Sequence, residues 1–115
     1  MKYMMVIYQG EALEAWGSLS EEDRRGVIDD YAAIRETPGV TPGDQLAPPE
    51  AATTVRVQDG RTLTTDGPFA ETKEAIGGYF LFETESRDAA IALAARVPAT
   101  RFGGAVEVRP LVEAW

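Results

Sequence analysis

Four ionisable side chains within nine residues make one segment of this chain the best candidate for chemistry. Asp66 opens the segment ahead of Gly67-Pro68, and the other three close it. A desolvated carboxylate at Asp66 could act as a general base or bind a ligand, because desolvation raises a carboxyl pKa toward neutrality. An Asp-Gly-Pro sequence also forms turns in which the carboxylate accepts backbone N–H bonds. The two roles are compatible, so both stay open for Asp66.

The remaining three ionisable side chains favour the binding of an anion or a pair of carboxylates. Lys73 could hold an anionic substrate or stabilise an enolate-like intermediate, or it could form a surface ion pair with a neighbouring glutamate. Glu71 and Glu74 would share a face if the segment contains a helical turn, and they are otherwise two solvated acids. Arg101 is a further candidate for clamping an anion.

The strand that follows this segment begins with Gly77 and Gly78, which indicate a close approach of backbone to a ligand or to another strand, or a β-bulge. Tyr79 supplies a ring and a hydroxyl if it faces a cleft, and it is core if it does not. We therefore predict a small-molecule pocket between the 66–74 loop, the first strand and the Gly77-Gly78 strand. Phe80, Phe82 and Trp16 are assigned to packing or to a dimer seam.

Charge narrows the classes of partner. Nineteen acidic and eleven basic side chains give a net charge of -8, which repels a phosphate backbone, so we expect no nucleic-acid binding. Residues 51–115 carry nine acids and seven bases, against ten and four in residues 1–50. The candidate segment lies in the less acidic half, which favours a small anionic ligand.

The chain contains neither Cys nor His, and this excludes disulfides, thiolate nucleophiles, Ser-His-Asp triads and Cys/His zinc sites. Acid–base chemistry would fall to carboxylates, Tyr or Lys. An all-oxygen Mg or Ca site stays open, but no EF-hand spacing of acids is present, and we expect no metal and no cofactor. No apolar run approaches the ~20 residues that span a bilayer, and the N-terminus lacks a signal-peptide cleavage site. We expect a cytoplasmic protein without membrane contact.

The elements that would position these residues can be predicted from local signals. Residues 2–8 are apolar at nearly every position, as in a central strand, and Ser20 and Ser86 are helix caps. Asp59-Gly60 suits a type I′ hairpin turn, and residues 105–109 alternate as in a half-exposed strand. The order of strand, helix, hairpin, strand, helix and strand predicts one domain over residues 1–115.

That domain is α+β: a ferredoxin-like βαββαβ arrangement with an added hairpin, and with the helices on one face of an antiparallel sheet. The helix-free face needs cover, and two such sheets packed face to face would supply it. We therefore expect a homodimer.

Residues 66–74 read DGPFAETKE, and with their flanks they make the chain resemble the YCII-related proteins, in particular the bacterial DGPFAETKE family. The resemblance extends over the whole chain. The flanks that carry it are Lys2-Tyr3-Met4-Met5, Thr54-Val55-Arg56, Gly77-Gly78-Tyr79-Phe80 and the stretch 101–110. It implies a ferredoxin-like fold and a homodimeric α/β barrel.

The resemblance implies less about activity. Some YCII-related proteins resemble small-molecule lyases, for which a His paired with an Asp is the proposed active centre, and this chain has no His. The DGPFAETKE branch often appears beside extracytoplasmic-function sigma factors, which implies a stress or regulatory role. Two functions stay open: a homodimeric small-molecule-binding or regulatory module, and a cofactor-independent lyase or isomerase with Asp66 as base and Lys73 holding a substrate carboxylate.

Overall fold

The computed structural model describes residues 1–68 and 75–112. Glu71, Lys73 and Glu74 lie outside the described residues, so their predicted roles stay predictions. The strands and helices, in chain order, are β1 (Lys2–Tyr8), α1 (Ala12–Ser18), α2 (Glu21–Arg35), β2 (Val40–Thr41), β3 (Thr53–Gln58), β4 (Arg61–Asp66), β5 (Ile76–Glu83), α3 (Arg87–Ala94) and β6 (Ala105–Pro110), with 3₁₀ turns at Pro49–Ala51 and Pro98–Arg101.

Four strands form the main sheet in the order β2-β5-β1-β6, and every neighbouring pair is antiparallel. The helices contribute to one hydrophobic core on one face of this sheet. The predicted α+β, ferredoxin-like fold is confirmed. Within the described residues the sheet is open rather than closed into a barrel, so an α/β barrel would need a second copy of the chain.

Strand β1 is central, as predicted, and its two faces differ. Tyr3, Met5 and Ile7 are buried against the helices, while the intervening side chains are half-buried. Cross-strand partners share a face, so the register with β5 and β6 extends this division across the sheet. We call the side without helices the open face; its half-buried apolar side chains are Met4, Val6, Tyr8, Tyr79 and Leu81.

The two predicted helix caps are confirmed. The Ser20 hydroxyl accepts the backbone N–H of Asp23 at 3.1 Å, and the Ser86 hydroxyl accepts that of Ala89 at 3.0 Å. Helix α1 was not predicted, because no side chain caps its N-terminus and its seven residues include a glycine. Among the described residues, no helix is both long and apolar enough to cross a membrane.

Strands β3 and β4 form a separate two-stranded hairpin. Asp59 and Gly60 have φ angles of 52° and 75°, which confirms the predicted I′-type turn, since both central residues of such a turn need positive φ. Every residue of the hairpin strands except Thr54 is exposed. The radius of gyration is 16.1 Å, against about 13 Å expected for a compact domain of this length. The extended outline is consistent with a hairpin that projects from the main sheet.

Candidate functional site

A cleft of about 450 Å³ opens on the helix side of the main sheet. It lies between the β1 and β5 ends, helices α1 and α2, and the segment that follows β2. We call it the helix-side cleft. Its described lining residues are Ile7, Gln9, Ala12, Leu13, Trp16, Leu19, Val27, Ile28, Tyr31, Ile34, Arg35, Val40, Gly43, Asp44, Gln45, Gly77, Gly78, Tyr79, Phe80, Pro98, Ala99 and Phe102.

The position of the cleft follows from the side chains along β5. Phe82, Phe80 and Gly78 occupy successive positions on the helix face, because they pair with the buried positions of β1. The two phenylalanines are buried in the core, whereas Gly78 contributes no side chain. The space that a third large side chain would fill is therefore open, which places the cleft at the Gly78 end of the strand.

One wall of the cleft is a short segment along the edge of β5, residues 43–46, which we call the strap. Gln45 pairs with Gly78, the Leu46 N–H donates to the Gly77 carbonyl at 2.8 Å, and the Tyr79 N–H donates to the Asp44 carbonyl at 3.2 Å. A Cβ atom at Gly43 would overlap the Tyr79 carbonyl group. The strap thus sits against β5 at a separation that only glycine allows at this position.

The predicted glycine pair has two structural roles. Gly77 has no partner in the β1 register, which shifts between Ile7 and Tyr8, so it is the extra residue of a β-bulge. A Cβ atom on Gly77 would overlap the Gln9 side chain, and one on Gly78 would lie 3.0 Å from the Asp44 carbonyl oxygen. Both glycines therefore accommodate close contacts with this chain, and both line the cleft.

Tyr79 belongs to the open face, because it pairs with Val6. Its hydroxyl donates to Asp44 Oδ2 at 3.0 Å. That hydrogen bond and the negative charge of Asp44 raise the pKa of the Tyr79 phenol above its usual value. Tyr79 therefore stays a protonated hydrogen-bond donor at neutral pH, and the Asp44 carboxylate is engaged by it.

Tyr31 lines the cleft from helix α2. Burial raises the pKa of its phenol by more than a backbone hydrogen bond from Ala99 and the positive charge of Arg101 lower it. Tyr31 is therefore neutral at physiological pH. Its hydroxyl can exchange hydrogen bonds with a ligand, but it cannot serve as a phenolate base.

Trp16 forms part of the cleft rim and is held by a neighbouring arginine. The Arg24 side chain donates to the backbone carbonyls of Trp16 and Gly17, each at 3.1 Å, and its guanidinium lies 5.6 Å from the indole centroid. The indole thus has a defined position at the mouth of the cleft, where it can report on binding.

The structure brings only part of the predicted site together. Gly77 and Gly78 line the cleft, together with Ile7 of the first strand. Tyr79 is also in the lining, but its position on β5 belongs to the open face. Asp66 is the exposed last residue of β4, on the hairpin and outside the described lining of the cleft. Arg101 pairs with Asp30 at 2.9 Å. The base role of Asp66 and the anion-clamping role of Arg101 stay predictions.

Several polar cleft residues escaped prediction: Gln9, Tyr31, Arg35, Asp44 and Gln45. They come from three separate segments, and nothing in their local sequence distinguishes them from surface residues. Within residues 1–68 and 75–112, no group of three or more acidic side chains could hold a metal ion.

Two comparisons place this chain among known proteins. The family described as the YCII-related domain matches residues 1–114. An uncharacterized protein of Rhizobium meliloti (strain 1021) is 38% identical over 117 residues, which cover 96% of this chain and 92% of that protein. The match therefore extends over nearly the full length of both proteins.

Proposed function

The chain belongs to the YCII-related domain family, and from that premise and the geometry of the helix-side cleft we propose that it is a small-molecule-binding module. The cleft itself carries the proposal. Its volume of about 450 Å³ lies within the usual ~300–1,000 Å³ of ligand sites. Its floor is apolar and its polar groups are few, which is the usual composition of such sites.

The floor and the rim of the cleft have different properties. Ile7, Val27, Ile34 and Phe80 are buried on the floor, where they exclude water from a bound molecule. Arg35 and Gln45 are exposed at the rim. A ligand would therefore gain hydrophobic burial at the floor and orientation from hydrogen bonds at the rim.

We further propose that the functional unit is a homodimer in which two open faces pack together. No apolar side chain of the open face is fully buried in one chain. Arg109 forms an ion pair with Glu107 on β6, beside those apolar positions. An apolar centre with a charged border is typical of a protein–protein interface.

The dimer can be tested with a matched pair of variants. Val6→Lys places a charge at the centre of the open face, whereas Ile91→Lys places one on α3, on the helix side of the sheet. Size-exclusion chromatography with light scattering should show a dimer for the wild type and for Ile91→Lys, and a monomer for Val6→Lys. A wild-type monomer at micromolar concentration would contradict the dimer.

A regulatory role linked to an extracytoplasmic-function sigma factor rests on the family resemblance alone. The predicted negative charge of the ligand rests on Lys73, Arg101 and the charge distribution along the chain. Co-purification with an extracytoplasmic-function sigma factor would test the first of these, and comparison of charged and neutral ligands would test the second.

The binding function is tested by a metabolite screen with ligand-observed NMR. We expect at least one compound to bind saturably without being converted. Ile28→Gln at the cleft should weaken binding at least ~fivefold, whereas Ile91→Gln, at another exposed isoleucine that lies outside the lining, should not. Turnover that disappears in Asp66→Asn would instead identify a lyase or isomerase.

A further inference from the structure

We propose that the ligand of the helix-side cleft is an amphipathic organic acid, with an apolar body against the cleft walls and its carboxylate at Arg35. This inference rests on the proposed binding function and adds the chemical class of the ligand. Arg35 is the proposed partner of the acid group.

The walls favour an apolar body because apolar side chains continue from the floor to the mouth. At the mouth, Leu13, Ile28 and Trp16 are 53%, 56% and 37% exposed. Large apolar side chains left in water at the opening of an apolar cleft gain most from a ligand that covers them. A compact inorganic anion would leave these apolar side chains exposed to water.

The head group is defined by the charges at the rim. Arg35 is the one cation among the described residues that line the cleft. It makes no hydrogen bond or ion pair with the rest of the described chain, whereas Arg24 holds two carbonyls and Arg101 pairs with Asp30. A guanidinium without such partners is available for two parallel hydrogen bonds to a carboxylate.

The one acidic residue among the described lining residues, Asp44, does not direct its charge into the cleft. Asp44 accepts the hydroxyl hydrogen bond of Tyr79, which pairs with Val6 on the open face. Its strap neighbour Gln45 pairs with Gly78, which belongs to the helix face. Side chains alternate along an extended segment, so Asp44 is directed toward the open face and Gln45 toward the cleft. The charge that a ligand meets inside the cleft is therefore that of Arg35.

Three probes separate the contributions of body and head: 1-naphthoate, its uncharged analogue 1-naphthamide, and acetate. Each is titrated at neutral pH into ¹⁵N-labelled full-length protein, and the indole N–H signal of Trp16 is followed. The chain has two tryptophans, so Trp115→Phe identifies the Trp16 signal. The matched variants are Arg35→Gln and Arg25→Gln, both exposed positions of α2, of which only Arg35 lines the cleft.

The inference predicts that naphthoate shifts the Trp16 signal saturably and binds about tenfold more tightly than naphthamide, as a charge-assisted hydrogen bond at a partly solvated rim would give. Acetate should produce no saturable shift. Arg35→Gln should abolish the preference for naphthoate, and Arg25→Gln should retain it.

Two results would overturn the inference in distinguishable ways. Equal binding of naphthoate and naphthamide at Trp16 would show that the cleft binds apolar molecules without recognising an acid group. The proposed binding function would then still hold. Absence of any saturable shift with both aromatic probes would overturn the inference and the proposed cleft function together.

Discussion

The helix side of the main sheet and the β3–β4 hairpin both carry apolar side chains, but the first buries them and the second leaves them exposed. On the helix side, Met5 and Val97 are fully buried, and the cleft opens where β5 has a glycine. On the hairpin, Val55 and Val57 are 59% and 71% exposed. The helix side therefore has the packing that can hold a ligand in place, whereas the hairpin's apolar surface is free to meet another surface.

The largest expected effect tests this difference in packing. Phe82→Ala on the helix face should lower the free energy of unfolding by about 3–5 kcal/mol, because it leaves a cavity in the core. Val57→Ala on the hairpin should cost less than about 1 kcal/mol. Urea denaturation at several protein concentrations measures both. A large cost for Val57→Ala that grows with concentration would place the hairpin at an interface between copies.

The next effect concerns the strap. Gly43→Ala should destabilise the fold by about 1–3 kcal/mol, because the added methyl overlaps the Tyr79 carbonyl and neither backbone can move without breaking the strap's hydrogen bonds. Amide hydrogen exchange should become faster at Leu46 and Tyr79, the two donors that join the strap to β5. Unchanged stability and exchange would show that the strap does not pack on β5 as described.

Gly26→Ala is the matched control for Gly43→Ala, and its expected effect on stability has the opposite sign. Gly26 lies within α2, and a Cβ atom there would meet nothing within 4 Å. Alanine should stabilise the protein by about 1 kcal/mol through helix propensity, which thermal denaturation can measure. Destabilisation would mean that another molecule covers this helix surface in solution.

The smallest effect is confined to alkaline pH. The folded state raises the pKa of Tyr31 above its ordinary value of 10.0, so the unfolded chain loses this proton first. The stabilisation is complete below about pH 10 and is lost as pH rises through the folded-state pKa. Unfolding free energies across this range should fall less steeply in Tyr31→Phe than in the wild type. An identical slope would show that Tyr31 is not buried beside the cleft.

Local signals predicted the elements well, because each acts within a few residues. A capping serine marks the start of α2 at Ser20 and of α3 at Ser86, and the Asp59-Gly60 sequence marks the hairpin turn. The apolar run of β1 identifies a central strand. Helix α1 was not predicted because it carries no such cap.

The cleft was only partly predictable, because its residues are brought together by tertiary packing. Gly77 and Gly78 were visible as a glycine pair at the start of a strand. Arg35 is the last residue of a helix, and Asp44 lies in a proline-rich segment, so neither position carries a local signal for binding. The register between β5 and the strap brings Asp44 beside the glycine pair, and Arg35 reaches the cleft lining from α2.

The proposed function requires the ligand to bind in the helix-side cleft rather than at the hairpin. Two-dimensional ¹H–¹⁵N NMR with a compound from the metabolite screen distinguishes these two locations. We predict saturable shifts at Trp16, Tyr31 and Gly78, with the signals of Thr65 and Asp66 unchanged. Shifts concentrated at Thr65 and Asp66, with Trp16 and Gly78 unmoved, would show that the ligand binds at the hairpin instead.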